Sequence, residues 1–255
     1  MRTNLIKKKE KQKRVKSSSD DGMLDMVIAF DTTGSMSSYI DAVKKHVKEL
    51  IPKLFKQNPN LRIGIVAFGD YCDMPSKDRF GAAYQVCPLT DDENELIKFI
   101  TDAQDTSGGD SDEFYELVIK KIVEETNWRE NSTKAVLLIA DAKPHYVGYS
   151  YEDKIINNQI DWEEEAKKAA EKGIKFDTLT IQAYTSNWYK RLSKITNGVS
   201  APFSTSSKTS NLVEAAALAR GGEATKSLYY ATMGSFKDDA EMTAVYTAYS
   251  KEVIS

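Results

Sequence analysis

Cysteine and histidine are scarce in this sequence, with two of each in 255 residues. Cys72 and Cys87 match no metal-ligand spacing and are too few for a disulfide framework, so reduced thiols in a cytoplasmic protein are the expectation. With only His46 and His145 present, a nucleophile paired to a histidine base has few ways to form. No stretch approaches the roughly 18 apolar residues of a membrane helix. The first residues lack the apolar core of a secretory signal. Also missing are the G-x-x-x-x-G-K-[ST] phosphate loop, a G-x-G-x-x-G after a strand and a G-x-S-x-G elbow.

Neither sign of charge dominates. The formal net charge is −3 and the sequence pI about 5.6, which argues against a nucleic-acid-binding body. Positive charge gathers only in residues 1–22, where Arg2, Lys7, Lys8, Lys9, Lys11, Lys13, Arg14 and Lys16 precede a Ser-Ser-Ser-Asp-Asp run. Such blocks read as disordered tails, and any nucleic-acid contact is expected to use this one. A hydrophobic share of 41% is enough for a sizeable core. The organisation expected is a basic leader at 1–22, a domain at 23–220 and an extension at 221–255, in a monomeric protein.

Beyond the leader, strand-like and helix-like segments alternate. Apolar runs at 26–30, 62–68, 83–89, 135–140 and 175–181 predict strands, with a short last one near Val199–Phe203. Leu61–Phe68 and Val136–Ile139 are nearly continuous in apolar residues, as strands buried on both faces are. Helical patterns occupy 38–56, 92–103, 112–126, 158–172, 187–196 and 208–220, and one more near 238–252 carries Met242, Val245 and Tyr246. This alternation implies an α/β fold, a doubly wound and mostly parallel sheet with helices on both faces. The loop before 83–89 is too short for a crossover helix, so that strand is expected to be an antiparallel edge.

The richest segment is MVIAFDTTGSMS, residues 26–37. An apolar strand runs into Asp31, Thr33 and Ser35, and a helix with Ile40, Val43, Val47, Leu50 and Leu54 at helical spacing follows. Hard oxygen ligands are thereby delivered to the carboxyl end of a strand, where open α/β sheets bind ligands. Mg²⁺ prefers such ligands and keeps water-filled positions. Asp31 read alone is equally an N-cap for that helix.

Asp31-x-Thr33-x-Ser35 resembles the D-x-[ST]-x-S motif that opens the metal-ion-dependent adhesion site of von Willebrand factor type A (VWA) domains. TSGGDSDEF (106–114) resembles that family's Gly-Gly loop, and VLLIADAKPH (136–145) its fourth strand with the last site aspartate, Asp141. The resemblance covers roughly residues 24–220. It implies a Rossmann-like fold with an antiparallel edge strand, and Mg²⁺ or Mn²⁺ held by Asp31, Thr33, Ser35 and Asp141. The protein is then a binding module that engages a protein partner inside the cell. AFGDY (67–71) resembles the VWA domains associated with alpha-type kinases.

Where many relatives carry Thr after the paired glycines, this chain has Asp110. Asp110 is either a third carboxylate facing the ion or the cap of a helix beginning at Ser111. In the first case an external acid is repelled and a neutral or cationic partner preferred. Asp70, Tyr71 and His145 are expected to border the same face and contact the partner, with Asp73 beside them. Trp128, Trp162 and Trp188 are expected to be packing anchors. An aspartate-nucleophile phosphoryl-transfer enzyme also ends its first strand in an Asp loop with Mg²⁺. Its second acid is here replaced by Thr33, so no catalytic residue is expected. The other alternative is a scaffold whose metal site is vestigial.

Overall fold

In the computed structural model, residues 22–180, 185–202 and 209–254 are described. The basic leader, Phe203 of the last expected strand and Ile181 of the fifth lie outside them. The architecture follows from β1 (Leu24–Asp31), whose eight residues are all buried. It pairs in parallel with β2 (Leu61–Phe68) on one side and with β4 (Thr133–Ala140) on the other. β3 (Tyr84–Thr90) is the antiparallel edge beyond β2, while β5 (Ile174–Thr180) and the short β6 (Ser200–Pro202) extend the sheet past β4. The strand order is β3-β2-β1-β4-β5-β6. The mostly parallel α/β sheet with one antiparallel edge is the one expected from the sequence.

Side chains along a strand alternate between faces, so a strand apolar on both faces feeds two cores. Leu24, Met26, Ile28 and Phe30 of β1 pack with α1 (Ser37–Gln57), α2 (Glu93–Asp102) and the C-terminal helices. Val27 and Ala29 pack with α3 (Tyr115–Glu125), α4 (Trp162–Glu171) and α5 (Ser186–Ile195). The three tryptophans lie against this second core, as anchors should. Boundaries follow local chemistry. Asp92 caps α2 by accepting from the backbone N–H of Asn94 and Glu95. Gly173, at φ +70°, ends α4.

Three helical segments differ from expectation. α4 begins at Trp162 rather than 158, because Asp161 accepts from Glu163 N and sets the cap there. α3 begins at Tyr115 rather than 112, because Glu113 N is tied to the Lys143 carbonyl. The C-terminal stretch holds α7 (Glu223–Ser235) and α8 (Ala240–Ile254) where one helix was expected. Among its described residues α7 buries only Thr225 and Tyr229, too sparse a stripe to read as periodic.

α6 (Thr209–Arg220) is locked to the sheet by a buried ion pair. Arg220 donates from Nη2 to Asp177 Oδ1 at 2.6 Å and from Nε to Oδ2 at 3.1 Å, and both side chains are 1% exposed. Its guanidinium lies 5.6 Å from the ring of Tyr249 on α8, which brings the last helix into the same knot. Truncating one partner of a buried pair strands the other charge. Arg220→Ala is therefore expected to lower unfolding stability by about 3–5 kcal/mol. Lys98→Ala, which breaks an exposed pair with Asp102, should cost below about 0.5 kcal/mol. Urea denaturation measures both; a loss under about 1 kcal/mol for Arg220→Ala would refute the locking role.

Candidate metal centre

Parallel pairing brings the carboxyl ends of β1, β2 and β4 to one edge, with Asp31 opposite Phe68 and Phe30 opposite Ile139. Three loops emerge there side by side. The first is stitched to the second by Thr32, whose N and Oγ1 both donate to the Phe68 carbonyl. It is stitched to the Gly-Gly loop by Thr106 N to Thr32 O and Gly34 N to Ser107 O. Asp73 organises that loop, accepting from Ser107 N at 2.9 Å and Gly108 N at 3.2 Å. Gly69 lets the loops close, since a Cβ there would stand 2.4 Å from Thr106 Oγ1.

Four of the predicted ligands form one continuous chain of oxygen atoms. Asp31 Oδ1 accepts from Thr33 N at 2.8 Å and from Thr33 Oγ1 at 2.6 Å. Thr33 Oγ1 lies 3.3 Å from Ser35 Oγ, which donates to Asp141 Oδ1 at 3.1 Å. Asp31 does not cap α1. That helix starts at Ser37 with Met36 as its cap residue, and the intervening residues form a tight turn at Gly34–Met36. The other oxygen of Asp31 accepts from Tyr115 OH, which in turn accepts from Ala142 N at 3.1 Å. Tyr115 thus spans the first and last loops, a role the sequence did not disclose.

Asp110 is not part of that chain. Its Oδ2 accepts from Tyr149 OH at 3.1 Å and its Oδ1 from Asp112 N at 2.8 Å. Capping a helix at Ser111 is also excluded, because α3 starts at Tyr115 after the cap residue Phe114. The Gly-Gly loop instead sends a different acid inward. Glu113 is 3% exposed, and its Oε2 has no hydrogen-bond partner among the described residues. A Cβ built on Gly108 (φ +71°) would stand 2.9 Å from Glu113 Oε1 and 3.2 Å from Thr33 Cβ, so the acid and the first-loop threonine flank the same glycine.

The expectation that Asp70, Tyr71 and His145 touch a partner is corrected by their burial at 0%, 2% and 2% exposure. They build the floor beneath the loops. His145 Nε2 lies 2.7 Å from Asp70 Oδ1, and its ring stacks on Tyr149 with centroids 3.7 Å apart. Glu116 on α3 ties the floor together, accepting from Tyr71 OH, His145 N and Asn158 Nδ2 at 2.8, 3.2 and 2.9 Å. Sequence reasoning missed Glu113 and Glu116. Their one trace was a pair of acids three apart flanking Phe114 and Tyr115 at the head of an apolar helix.

The electrostatics fit a cation. Burial pushes the Asp31 carboxyl up to about 7 despite the Thr33 and Tyr115 hydrogen bonds, and the Asp141 charge adds to the rise. Asp141 is raised by burial against the bond from Ser35. Glu113 is pushed up to about 10 by burial and then by the charge of Asp31. Among the described residues no three His, Cys, Asp or Glu side chains stand together in metal-ligating range. The donor set is two carboxylates and two hydroxyls, and such hard oxygens suit Mg²⁺ or Mn²⁺.

An open α/β sheet with this oxygen cluster at its carboxyl edge defines the class: a ligand-binding domain of the doubly wound type. The chain belongs to the von Willebrand factor type A domain family, whose profile matches residues 25–217. It is 25% identical over 186 residues to the ariadne-like RING finger protein R811 of Acanthamoeba polyphaga mimivirus, covering 69% of this chain and 18% of that protein. It is 27% identical over 152 residues to the alpha-protein kinase vwkA of Dictyostelium discoideum, covering 55% and 24%. The match therefore spans less than a quarter of either relative. Among solved structures, the proximal thread matrix protein 1 of the mussel byssus superposes with a TM-score of 0.56 at 16% identity, over 77% of this chain and 47% of that one. The SpaC pilus adhesin of Lactobacillus rhamnosus GG gives 0.57 at 15%, over 76% and 30%. At these identities the likeness is one of fold.

The floor should make stability depend on pH. Burial alone would lower His145, but the Asp70 hydrogen bond and charge, with Glu116 and Asp110 behind them, raise it above 6.5. Glu116 is raised to about 7 by burial, against the pull of His145 and Tyr71. Both groups hold their protons more tightly folded than unfolded. The stability they lend is complete below their unfolded values and is lost as pH rises, from 4.5 to about 7 for Glu116 and from 6.5 upward for His145. Metal-free protein should melt at lower temperature at pH 8 than at pH 6, at a slope up to about 1.4 kcal/mol per pH unit per proton. His145→Gln should flatten that profile, and parallel curves for variant and wild type would contradict the assignment.

Proposed function

We propose that this VWA domain is a non-enzymatic, metal-dependent protein-binding module of an intracellular assembly. Mg²⁺ or Mn²⁺ is held by Asp31, Thr33, Ser35 and Asp141, with Asp110 on the rim. The observation that carries the reading is the unbroken oxygen chain from Asp31 to Asp141, contributed by the loops after β1 and β4. The ion supplies a positive centre with exchangeable positions, and the protein residues fix it in place.

Around the centre, Tyr146, Val147 and Ile156 are 67%, 51% and 74% exposed on the loop following Asp141. Apolar side chains beside an acidic rim of Asp110 and Asp112 suit a partner that is neutral or cationic where it meets the ion. Like charges about 4 Å apart repel by roughly 4 kcal/mol at an effective dielectric near 20, enough to decide between partners. The relatives named for a kinase and a RING finger are several times longer than their matched regions, which supports a module working beside other domains.

Binding rather than turnover is favoured by the side chains themselves. Ser35 Oγ donates to Asp141 and has no histidine beside it, while His145 is buried against Asp70. His46 belongs to α1. Calorimetric titration with MgCl₂ and MnCl₂ should give saturable heat for the wild type. Asp31→Ala should weaken binding by at least about tenfold and release partners captured in a pull-down. No saturable heat from the wild type would favour the vestigial scaffold; phosphatase turnover lost in Asp31→Asn would favour the enzyme.

A further inference from the structure

A cavity of about 200 Å³ opens on the α3 face of the sheet, with Asn127 at one end. The Asn127 carbonyl accepts from Arg62 Nη2, and Arg62 pairs with Asp25, so this end lies toward the amino ends of β1 and β2. The floor is a gap in the packing. Gly64 of β2 stands opposite Val27 of β1 and puts no side chain on the face where Val27 and Val66 pack. The pairing of edge strand β3 with β2 shifts register at the same point, between Ile63 and Ile65. Tyr84 and Leu89 line the β3 side, and Val86, 46% exposed, stands at the mouth.

The opposite wall holds a cation that is poorly matched. Lys121 of α3 lines the cavity with its side chain 15% exposed. Its Nζ lies 4.7 and 4.9 Å from the ring centres of Phe80 and Tyr84, and cation–π attraction holds it there. An ammonium has three donors, yet among the described residues Glu125 Oε1, at 2.6 Å, is the one oxygen that accepts from it. Glu125 is 58% exposed, so solvent weakens the pair. A largely buried cation with donors to spare, beside an apolar hollow, favours an acid with an apolar body.

We propose that this cavity binds a small monocarboxylate whose apolar body is a single ring or a short branched chain. The body packs over Gly64 against Val27, Val66 and Leu89, and the carboxylate accepts from Lys121 in place of Glu125, which turns into water. An apolar cavity of about 150 Å³ takes up benzene, so about 200 Å³ has room for a ring with a short acidic arm. None of these residues belongs to the metal centre, and the site stands independently of the metal reading.

The test is ligand-observed NMR titration of the full chain, in EDTA, with phenylacetate, phenethylamine and benzyl alcohol. The three probes share a ring and differ at the polar end. Phenylacetate should bind saturably and at least about tenfold more tightly than the other two, the margin expected of a charge-assisted hydrogen bond. Lys121→Met keeps the apolar stem and removes the ammonium, so phenylacetate should fall to the level of benzyl alcohol. Val86→Trp, at an exposed position, should fill the mouth and weaken all three probes. Circular dichroism shows that each variant is folded. Phenylacetate that fails to saturate the wild type, or binds either folded variant as tightly as the wild type, overturns the proposal. Tighter binding of phenethylamine than of phenylacetate also overturns it, by making Glu125 the anchor.

Discussion

Two buried aspartates at opposite ends of β1 show what the site is built around. Asp25 is surrounded by Arg62, Arg129 and Ser132, and those bonds hold its carboxyl below the usual value against the opposing pull of burial. Asp31 is equally buried, has hydroxyl and amide donors only, and is driven up to about 7. One strand therefore carries one acid with resident cations and one without. The unmatched charge at Asp31 is the constraint to which the loops respond. Thr33, Tyr115 and, through Ser35, Asp141 arrange their polar atoms around that carboxylate.

Such an arrangement costs stability in the metal-free protein, and the fold offsets it elsewhere. The central strands are buried on both faces, and the Asp177–Arg220 pair knots β5 to the C-terminal helices. Beneath the loops, Asp70, His145 and Glu116 form a hydrogen-bonded floor that takes no solvent. Rigid support beneath a strained or undercompensated group is what keeps ligand atoms in place before the ligand arrives. The outer side chains of the loop after Asp141, Tyr146 and Val147, are exposed.

Much of this was legible in the sequence because it was local. Continuous apolar runs marked β1, β2 and β4 as buried on both faces, and the short loop before Tyr84 marked β3 as an antiparallel edge. Asp31, Thr33, Ser35 and Asp141 sit at strand ends, where the motif and the sheet topology agree. What escaped was non-local. Asp110 followed the paired glycines and so looked like the inward group, yet a partner 39 residues away, Tyr149, draws its carboxylate aside. Asp70, Tyr71 and His145 were polar loop residues, which usually means exposure. Contacts between distant segments explain why they are buried: Glu116 accepts from Tyr71 OH and His145 N, and His145 meets Asp70. α7 escaped for a different reason, since it shows too few buried positions to leave a period.

The same non-local logic bears on partner choice. An adhesion-type site with two carboxylates around a dication is formally neutral, and an external acid can complete it at little electrostatic cost. This chain has Glu113 buried on the same loop as Asp110, and the charge of Asp110 is among those that raise Glu113 after burial. Each added carboxylate strengthens the hold on the ion and weakens the pull the ion exerts outward, because the field seen by a partner is that of the whole cluster. On the proposed metal reading, affinity for a metal and affinity for an acidic ligand would be set against each other by the same residues. On the same reading, internalised acids would seat the ion more firmly and direct recognition toward the apolar and polar surface around it.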